Sequence, residues 1–332
     1  MAKFAYIVAS NSRYIPGLNA LINSLDVVGN KHDLHVLGYN LPQQYIDAVN
    51  AAGLSYKVVW HAIEQKEVDW LGEAEVLMRK RYYLPYYLSF FPDAPDTVCI
   101  LDADMFITQE LTRYFIMANT GVILGCGLEQ KRRYNETNHQ YPAGSGTYLI
   151  PPEHWSQRDL CCSPLFIGKA WFEVFKKTWD MVNDHPHGQG RFLAPEMDAL
   201  NIRLIEAGAH DWIVPMNQPC WTGLHESLMK AHTRAVDIHG MLFTEDGQEV
   251  NVVHGQFWNV TWRGWQVDGQ MGMIEREFDN SQRYKQISLG SFEFVCRWYK
   301  KMACEHKVNV NDFLGFIESR DGVTKTDVME IL

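Results

Sequence analysis

Thr97-Val98-Cys99-Ile100-Leu101-Asp102-Ala103-Asp104 passes directly from an unbroken apolar run to a pair of carboxylates. A short run of this kind, apolar at successive positions, suits a strand buried on both faces, as parallel strands are. Upstream, Phe4–Ala9 is a second such run and leads into Ser10-Asn11-Ser12. Between the two, Leu18, Leu21, Ile22 and Leu25 recur at helical spacing until Gly29-Asn30 stops them. Leu34–Leu37 reads as a strand, Tyr45–Ala52 as a helix closed by Gly53, and Tyr56–Trp60 as a further strand. Val76–Phe91 reads as a long aromatic helix in which Pro85 predicts a kink. This alternation predicts an α/β fold of Rossmann-like character, with a mostly parallel central sheet and helices on both faces. Ligands of such sheets bind beyond the carboxyl ends of the strands. Ser10–Ser12 and Asp102–Asp104 each follow a strand, so both are expected on one rim.

Downstream of Gly127 the pattern is irregular as far as Gly190, as an insertion would be. Within and after it, Leu165–Ile167 reads as a short strand and Trp171–Met181 as an amphipathic helix. Pro195, a favoured first helical residue, opens a helix bearing Asp198, Leu200 and Asn201. Val252-Val253-His254 is a short strand ending in histidine. From about Ser281 a stripe of Phe292, Val295, Trp298 and Tyr299 predicts helices. The expected organisation is a domain over 1–265 with its insertion at 127–190, and a mainly helical extension over 266–332.

With 332 residues, 46% of them hydrophobic, the chain can bury a full core. Its net charge of −10 argues against a protein-wide phosphate-binding surface, while Arg79–Arg81 and Lys131–Arg133 leave room for local basic clusters. Seven cysteines without a CxxC suggest neither a zinc site nor a closed disulfide set. The apolar run between Lys3 and Ser10 is too short for a signal segment, and no transmembrane segment is expected. A cytoplasmic location is therefore expected. Aromatic residues at 13% exceed what the core demands, and exposed rings are a common way to hold sugars, although large core side chains account for most of them.

Carboxylates at i and i+2 of extended chain point the same way, so Asp102 and Asp104 can face one divalent cation. Hard oxygen ligands select Mg²⁺ or Mn²⁺, and such an ion could bridge the diphosphate of a nucleotide-sugar. The bland alternative is a solvated turn capping a helix that begins near Gln109. His254, ending an apolar strand before a glycine, could offer a neutral imidazole to the same ion or could simply be structural.

Five stretches, in this order and spacing, resemble the GT-A nucleotide-sugar transferases, and among them the glycogenin-like glycosyltransferase family 8. They are Ala9-Ser10-Asn11 with Tyr14; Arg81-Tyr-Tyr-Leu-Pro85; Leu101-Asp-Ala-Asp-Met105; Pro195-Glu-Met-Asp198-Ala-Leu-Asn201; and His254-Gly-Gln-Phe-Trp258. The resemblance implies a GT-A fold and transfer of a sugar from a nucleotide-sugar, with UDP the expected nucleotide, to an acceptor hydroxyl. It implies that Asp102, Asp104 and His254 hold Mn²⁺ or Mg²⁺. Ala9, Ser10, Asn11, Tyr14, Ala103, Gly255 and Trp258 would line the donor site, and Arg81 would reach the donor's phosphate or sugar. Glu196 and Asp198 would bind hydroxyls of the transferred sugar. The bland alternatives are an exposed Arg79-Lys80-Arg81 face, and helix-start carboxylates favoured by the dipole.

The chain departs from the family at Met197, where the family carries Gln, and it lacks the Lys after the final glycine, although Arg263 stands nearby. Retention of configuration is the family's expectation, and Met197 leaves inversion open. The expected acceptor is a glycan, a lipid-linked sugar or a protein. A hydroxylated base in DNA is the nucleic-acid alternative. A nucleotidyltransferase is a further alternative, although Ser10-Asn11-Ser12-Arg13 is not the Gly-rich phosphate loop of those enzymes. An inactive carbohydrate-binding protein of the same fold is the last.

Overall fold

The computed structural model describes residues 2–67, 73–103, 105–127, 160–184, 195–216, 220–221, 233–236, 241–244, 249–254 and 301–316. In chain order the elements are β1 (Phe4–Asn11), α1 (Ile15–Val27), β2 (Asp33–Tyr39), α2 (Gln43–Ala51), β3 (Val58–Ala62), α3 (Glu73–Leu88), β4 (Thr97–Asp102), β5 (Met105–Ile107), α4 (Thr112–Ala118) and β6 (Ile123–Gly127). There follow β7 (Leu160–Gly168), α5 (Phe172–Asp184), α6 (Pro195–Glu206), β8 (Ile213–Pro215), β9 (Cys220–Trp221), β10 (Thr233–Val236), β11 (Met241–Thr244), β12 (Glu249–Val250) and β13 (Val252–His254). Seven strands form a mostly parallel sheet in the order β3-β2-β1-β4-β7-β6-β8, so the α/β class is present as read. Two smaller sheets have the orders β10-β11-β12 and β5-β13-β9.

The chain divides into two compact units. One comprises Met1–Ala9, His61–Leu101 and Thr112–Met216; the other comprises Ser10–Trp60, Asp102–Leu111 and Asn217–Leu332. The expected boundary between 265 and 266 lies outside the described residues, as do the stripe from Phe292 to Tyr299 and most of the insertion.

In the first unit the Lys3 carbonyl accepts the N–H groups of Asp96 (2.7 Å) and Thr97 (3.3 Å), so β1 and β4 start side by side. β7 runs antiparallel between β4 and β6, with Thr97 opposite Gly168 and Ile100 opposite Leu165. The core is apolar and continuous: Ile7, Val98, Ile100, Leu165, Ile167, Phe175 and Leu200 are each buried. β7 is longer than Leu165–Ile167: it starts at Leu160, opposite Gly127 across a register shift in β6, and the Ser163 hydroxyl donates to the Ile100 carbonyl at 3.4 Å. α3 ends at Leu88 instead of Phe91: the Ser89 amide is shared between the Pro85 and Tyr86 carbonyls, and those of Phe90 and Phe91 bond to Tyr87 and Leu88, the tighter i to i−3 pattern of a closing turn.

In the second unit α1 is buried from Ile15 through Asp26, on its polar side as well as its apolar one. The stripe of Leu18, Leu21, Ile22 and Leu25 therefore describes only part of its packing. A segment near the chain's end takes the rest. The Asn19 amide donates to the Val308 carbonyl (2.8 Å), and the Asn23 amide donates to those of Met302 (2.5 Å) and Val308 (2.9 Å). Asp26 faces His306 Nε2 at 2.8 Å and Lys307 Nζ at 2.9 Å, and accepts the Ser55 backbone N–H at 2.6 Å. Burial pushes the Asp26 carboxyl upward, but the hydrogen bonds from His306, the Ser55 amide and Lys307 together outweigh it and hold the group at about 2. The Phe313 ring meets Tyr45 edge to face at 5.1 Å. Within this segment Lys301–Glu305 is a π turn and Val310–Phe316 a 3-10 turn, so its described part is helical only in short, non-α pieces.

Candidate donor site

The second unit assembles part of the expected site from distant stretches. β4 ends at Asp102, which is half-buried, and Ala103 behind it is buried. The chain then enters β5 instead of the helix anticipated near Gln109; the next helix begins only at Thr112. Ala103 does lie in a turn, but β5 separates that turn from the helix, so it does not cap it. β13 pairs antiparallel with β5, setting Val252 opposite Ile107, Val253 opposite Phe106 and His254 opposite Met105. Cα atoms of directly opposed antiparallel residues lie about 4.5–5.5 Å apart. The backbone of His254 is thus brought beside the residue that follows Asp104. The pairing continues past the strands: Thr108 N–H donates to the Asn251 carbonyl at 2.9 Å and the Thr108 hydroxyl to that of Val250 at 2.5 Å.

β1 ends in the same unit at Ser10 and Asn11, both buried. Because β1 and β4 start together and run side by side, their last residues, Asn11 and Asp102, come out at the same end of the sheet. The Asn11 side-chain oxygen accepts the Tyr14 N–H at 3.2 Å, closing the turn that feeds α1. That bond fixes the start of α1, which has no side-chain cap of its own. Ser10 and Asn11 belong to the strand, one step beyond the Phe4–Ala9 expected.

The first unit holds other expected residues. Arg81 is 5% exposed, which overturns the reading of an exposed basic face. Its guanidinium donates to the Leu101 carbonyl (3.4 Å) and the Tyr82 hydroxyl (2.9 Å), and stands 5.0 Å from the Tyr82 ring centroid. It therefore holds the peptide immediately before Asp102. Ala9 is half-buried at the same unit's end of β1. Glu196 and Asp198 lie in the first turn of α6, their side chains outside the described set. Asn201, three positions beyond Asp198 on that helix, is 1% exposed, and its amide accepts the Leu160 N–H at 2.9 Å and donates to the Leu160 carbonyl at 3.1 Å. An amide satisfying both main-chain groups of a strand residue pins α6 to the start of β7. No local sequence signal distinguishes Asn201, or Ser24 and Asn23 on α1, as residues that tie segments together.

Asp104, Gly255, Trp258 and the His254 side chain lie outside the described residues. Among the described residues no three His, Cys, Asp or Glu side chains converge as a metal site, and no helix is long and apolar enough to cross a membrane.

No family profile and no curated protein sequence matches this chain. Solved structures do. The galactosyltransferase LgtC in complex with donor and acceptor sugar analogs superposes with a TM-score of 0.51 at 15% identity, covering 84% of this chain and 95% of that one. An active-site mutant of LgtC gives 0.50 at 14% identity over the same shares. Mouse xyloside xylosyltransferase 1 gives 0.42 at 13%, covering 67% of this chain and 87% of that one.

Proposed function

We propose that this chain, which has the GT-A fold found in LgtC, is a metal-dependent glycosyltransferase that moves a sugar from a nucleotide-sugar, with UDP as the nucleotide, to an acceptor hydroxyl. The observation that carries the proposal is the β5–β13 register. It brings His254 opposite Met105, next to Asp102-Ala103-Asp104, from the far end of the sequence. Two carboxylates and an imidazole fit Mn²⁺ or Mg²⁺, with oxygen donors dominating. Asp102, Asp104 and His254 would hold the ion, which when bound neutralises charge on the departing diphosphate.

The remaining roles fall to the chain itself. Asn11 and Tyr14, fixed by their mutual hydrogen bond, with Ala9 and Ser10 beside them, receive the nucleoside. Arg81 steadies the Leu101 peptide, and its positive charge favours a diphosphate. Gly255 and Trp258 complete the donor side, and Glu196 and Asp198 bind hydroxyls of the sugar. In a retaining reaction the acceptor oxygen bonds to the anomeric carbon as the bond to the diphosphate breaks, and the leaving phosphate oxygen takes the acceptor proton. In an inverting one, Glu196 or Asp198 takes that proton from the opposite face. The anomeric configuration of the product, read by NMR, separates the two. The acceptor is a glycan, lipid-linked sugar or protein hydroxyl.

A thermal-shift screen of nucleotide-sugars with and without Mn²⁺ tests the donor. Stabilisation by a UDP-sugar only in the presence of the ion is expected, and equal shifts with and without it would remove the metal from the proposal. Asp104→Ala should abolish transfer and donor hydrolysis together.

A further inference from the structure

β5 is an edge strand. In the order β5-β13-β9 it has a neighbour on one side only among the described residues, so amides on its outer side have no described ladder to enter. Ile107 is buried, and a buried amide left unpaired is costly. It is satisfied from outside the sheet: Ile107 N–H donates to Ser24 Oγ of α1 at 3.0 Å. The same hydroxyl donates to the Leu21 carbonyl at 2.9 Å, which fixes its proton on the helix and turns a lone pair toward the strand. Ser24 is fully buried, so no water can substitute for it. Its neighbour Asn23 is held by the Met302 and Val308 carbonyls, which fixes the rotation of α1 at this turn.

We infer that Ser24 is a positioning residue for the metal site: by capping the outer edge of β5 it sets the strand whose pairing with β13 brings His254 to Asp102 and Asp104. The inference rests on the metal-dependent reading above. Ile107 is opposite Val252, and His254 opposite Met105 lies one strand repeat further along the same short ladder. A ladder of three residue pairs has little stiffness of its own. Its position depends on what holds it from outside: β9 beside β13, Thr108 at the end of the pair and Ser24 on the outer edge of β5. Ser24 touches neither substrate nor ion; it acts through β5, as outer partners of metal ligands do.

The test uses the full chain with Mn²⁺ and UDP, reading bound Mn²⁺ by electron paramagnetic resonance and the Ile107 amide by hydrogen exchange. Ser24→Ala should speed exchange at Ile107 and raise the Mn²⁺ dissociation constant about 10-fold at a temperature where the variant is fully folded. Ser24→Thr, which keeps the hydroxyl, should restore Mn²⁺ affinity to within about threefold of the parent, on the same scale of outer-partner effects. A lower melting temperature with unchanged Mn²⁺ affinity would make Ser24 purely structural and overturn the inference. If Ser24→Ala does not fold, the decision passes to Ser24→Thr and Ser24→Cys, whose Mn²⁺ affinities should rank with the strength of the acceptor each offers Ile107; equal affinities would overturn it. Failure of the parent protein to retain Mn²⁺ with UDP removes the metal-dependent reading itself. Normal binding by the parent, unaltered in the variants, removes only the role of Ser24.

Discussion

Replacing Asp26 by Asn removes a charge from a nearly closed cluster while keeping shape and a hydrogen-bond acceptor. The Asp26 side chain is 5% exposed and carries two basic partners, His306 and Lys307, from the far end of the chain. Its carboxyl is held at about 2, against 3.8 for a free aspartate, although burial alone would have raised it. A folded-state value below the unfolded one means that the charged form stabilises the fold. That stabilisation is complete above about pH 5, declines as protons bind the unfolded chain's carboxylate near 3.8, and is gone below about 2. The displacement corresponds to about 2 kcal/mol at neutral pH. Asp26→Asn should therefore lower the urea unfolding free energy at pH 7 by about 2 kcal/mol, and the gap to the parent should close between pH 4 and about 2. Hydrogen exchange should locate the loss at the contacts of Lys301–Phe316 with α1. A variant as stable as the parent at pH 7, or a gap that stays constant on acidification, would refute the argument that attraction to His306 and Lys307 outweighs desolvation.

Other substitutions probe the frame of the site. A Cβ at Gly168 would lie 2.7 Å from the Ala118 carbonyl oxygen, a backbone atom, so Gly168→Ala should cost about 1–3 kcal/mol in urea unfolding; no loss would mean that the β7–α4 approach is looser than described. Asn201→Leu keeps volume but strands the N–H and carbonyl of Leu160, at about 1–3 kcal/mol for each buried group. Faster amide exchange at Leu160 should accompany the loss, and unchanged exchange would separate α6 from β7. Asp102→Asn keeps size and removes one of the charged ligands proposed above, so Mn²⁺ retention with UDP should fall at least 10-fold with little change in melting temperature; a matched loss of folding would instead assign Asp102 to the structure.

Period and composition were enough for the α/β class, because buried parallel strands such as Phe4–Ala9 and Thr97–Leu101 announce themselves as unbroken apolar runs. Asp102 is legible in the same way, as the polar end of such a run, while Ala103 already lies in a turn. The pairing of His254 with Met105, by contrast, depends on the register between two strands of three residues each, far apart along the chain. So short a strand carries almost no periodic signal, and its partner is chosen by packing. Burial of Arg81 was equally hidden: Arg79-Lys80-Arg81 reads as a solvated basic run, and only the fold turns one member inward to the Leu101 carbonyl. The polar face of α1 makes the point most fully. The apolar stripe leaves Asn19, Asn23, Ser24 and Asp26 unassigned, yet they are buried beneath β5 and a segment near residue 308. Local sequence fixes what each stretch can form, because periodicity and propensity are short-range. Which polar groups end up satisfying one another is decided by chain closure over long separations, and so belongs to the tertiary structure alone.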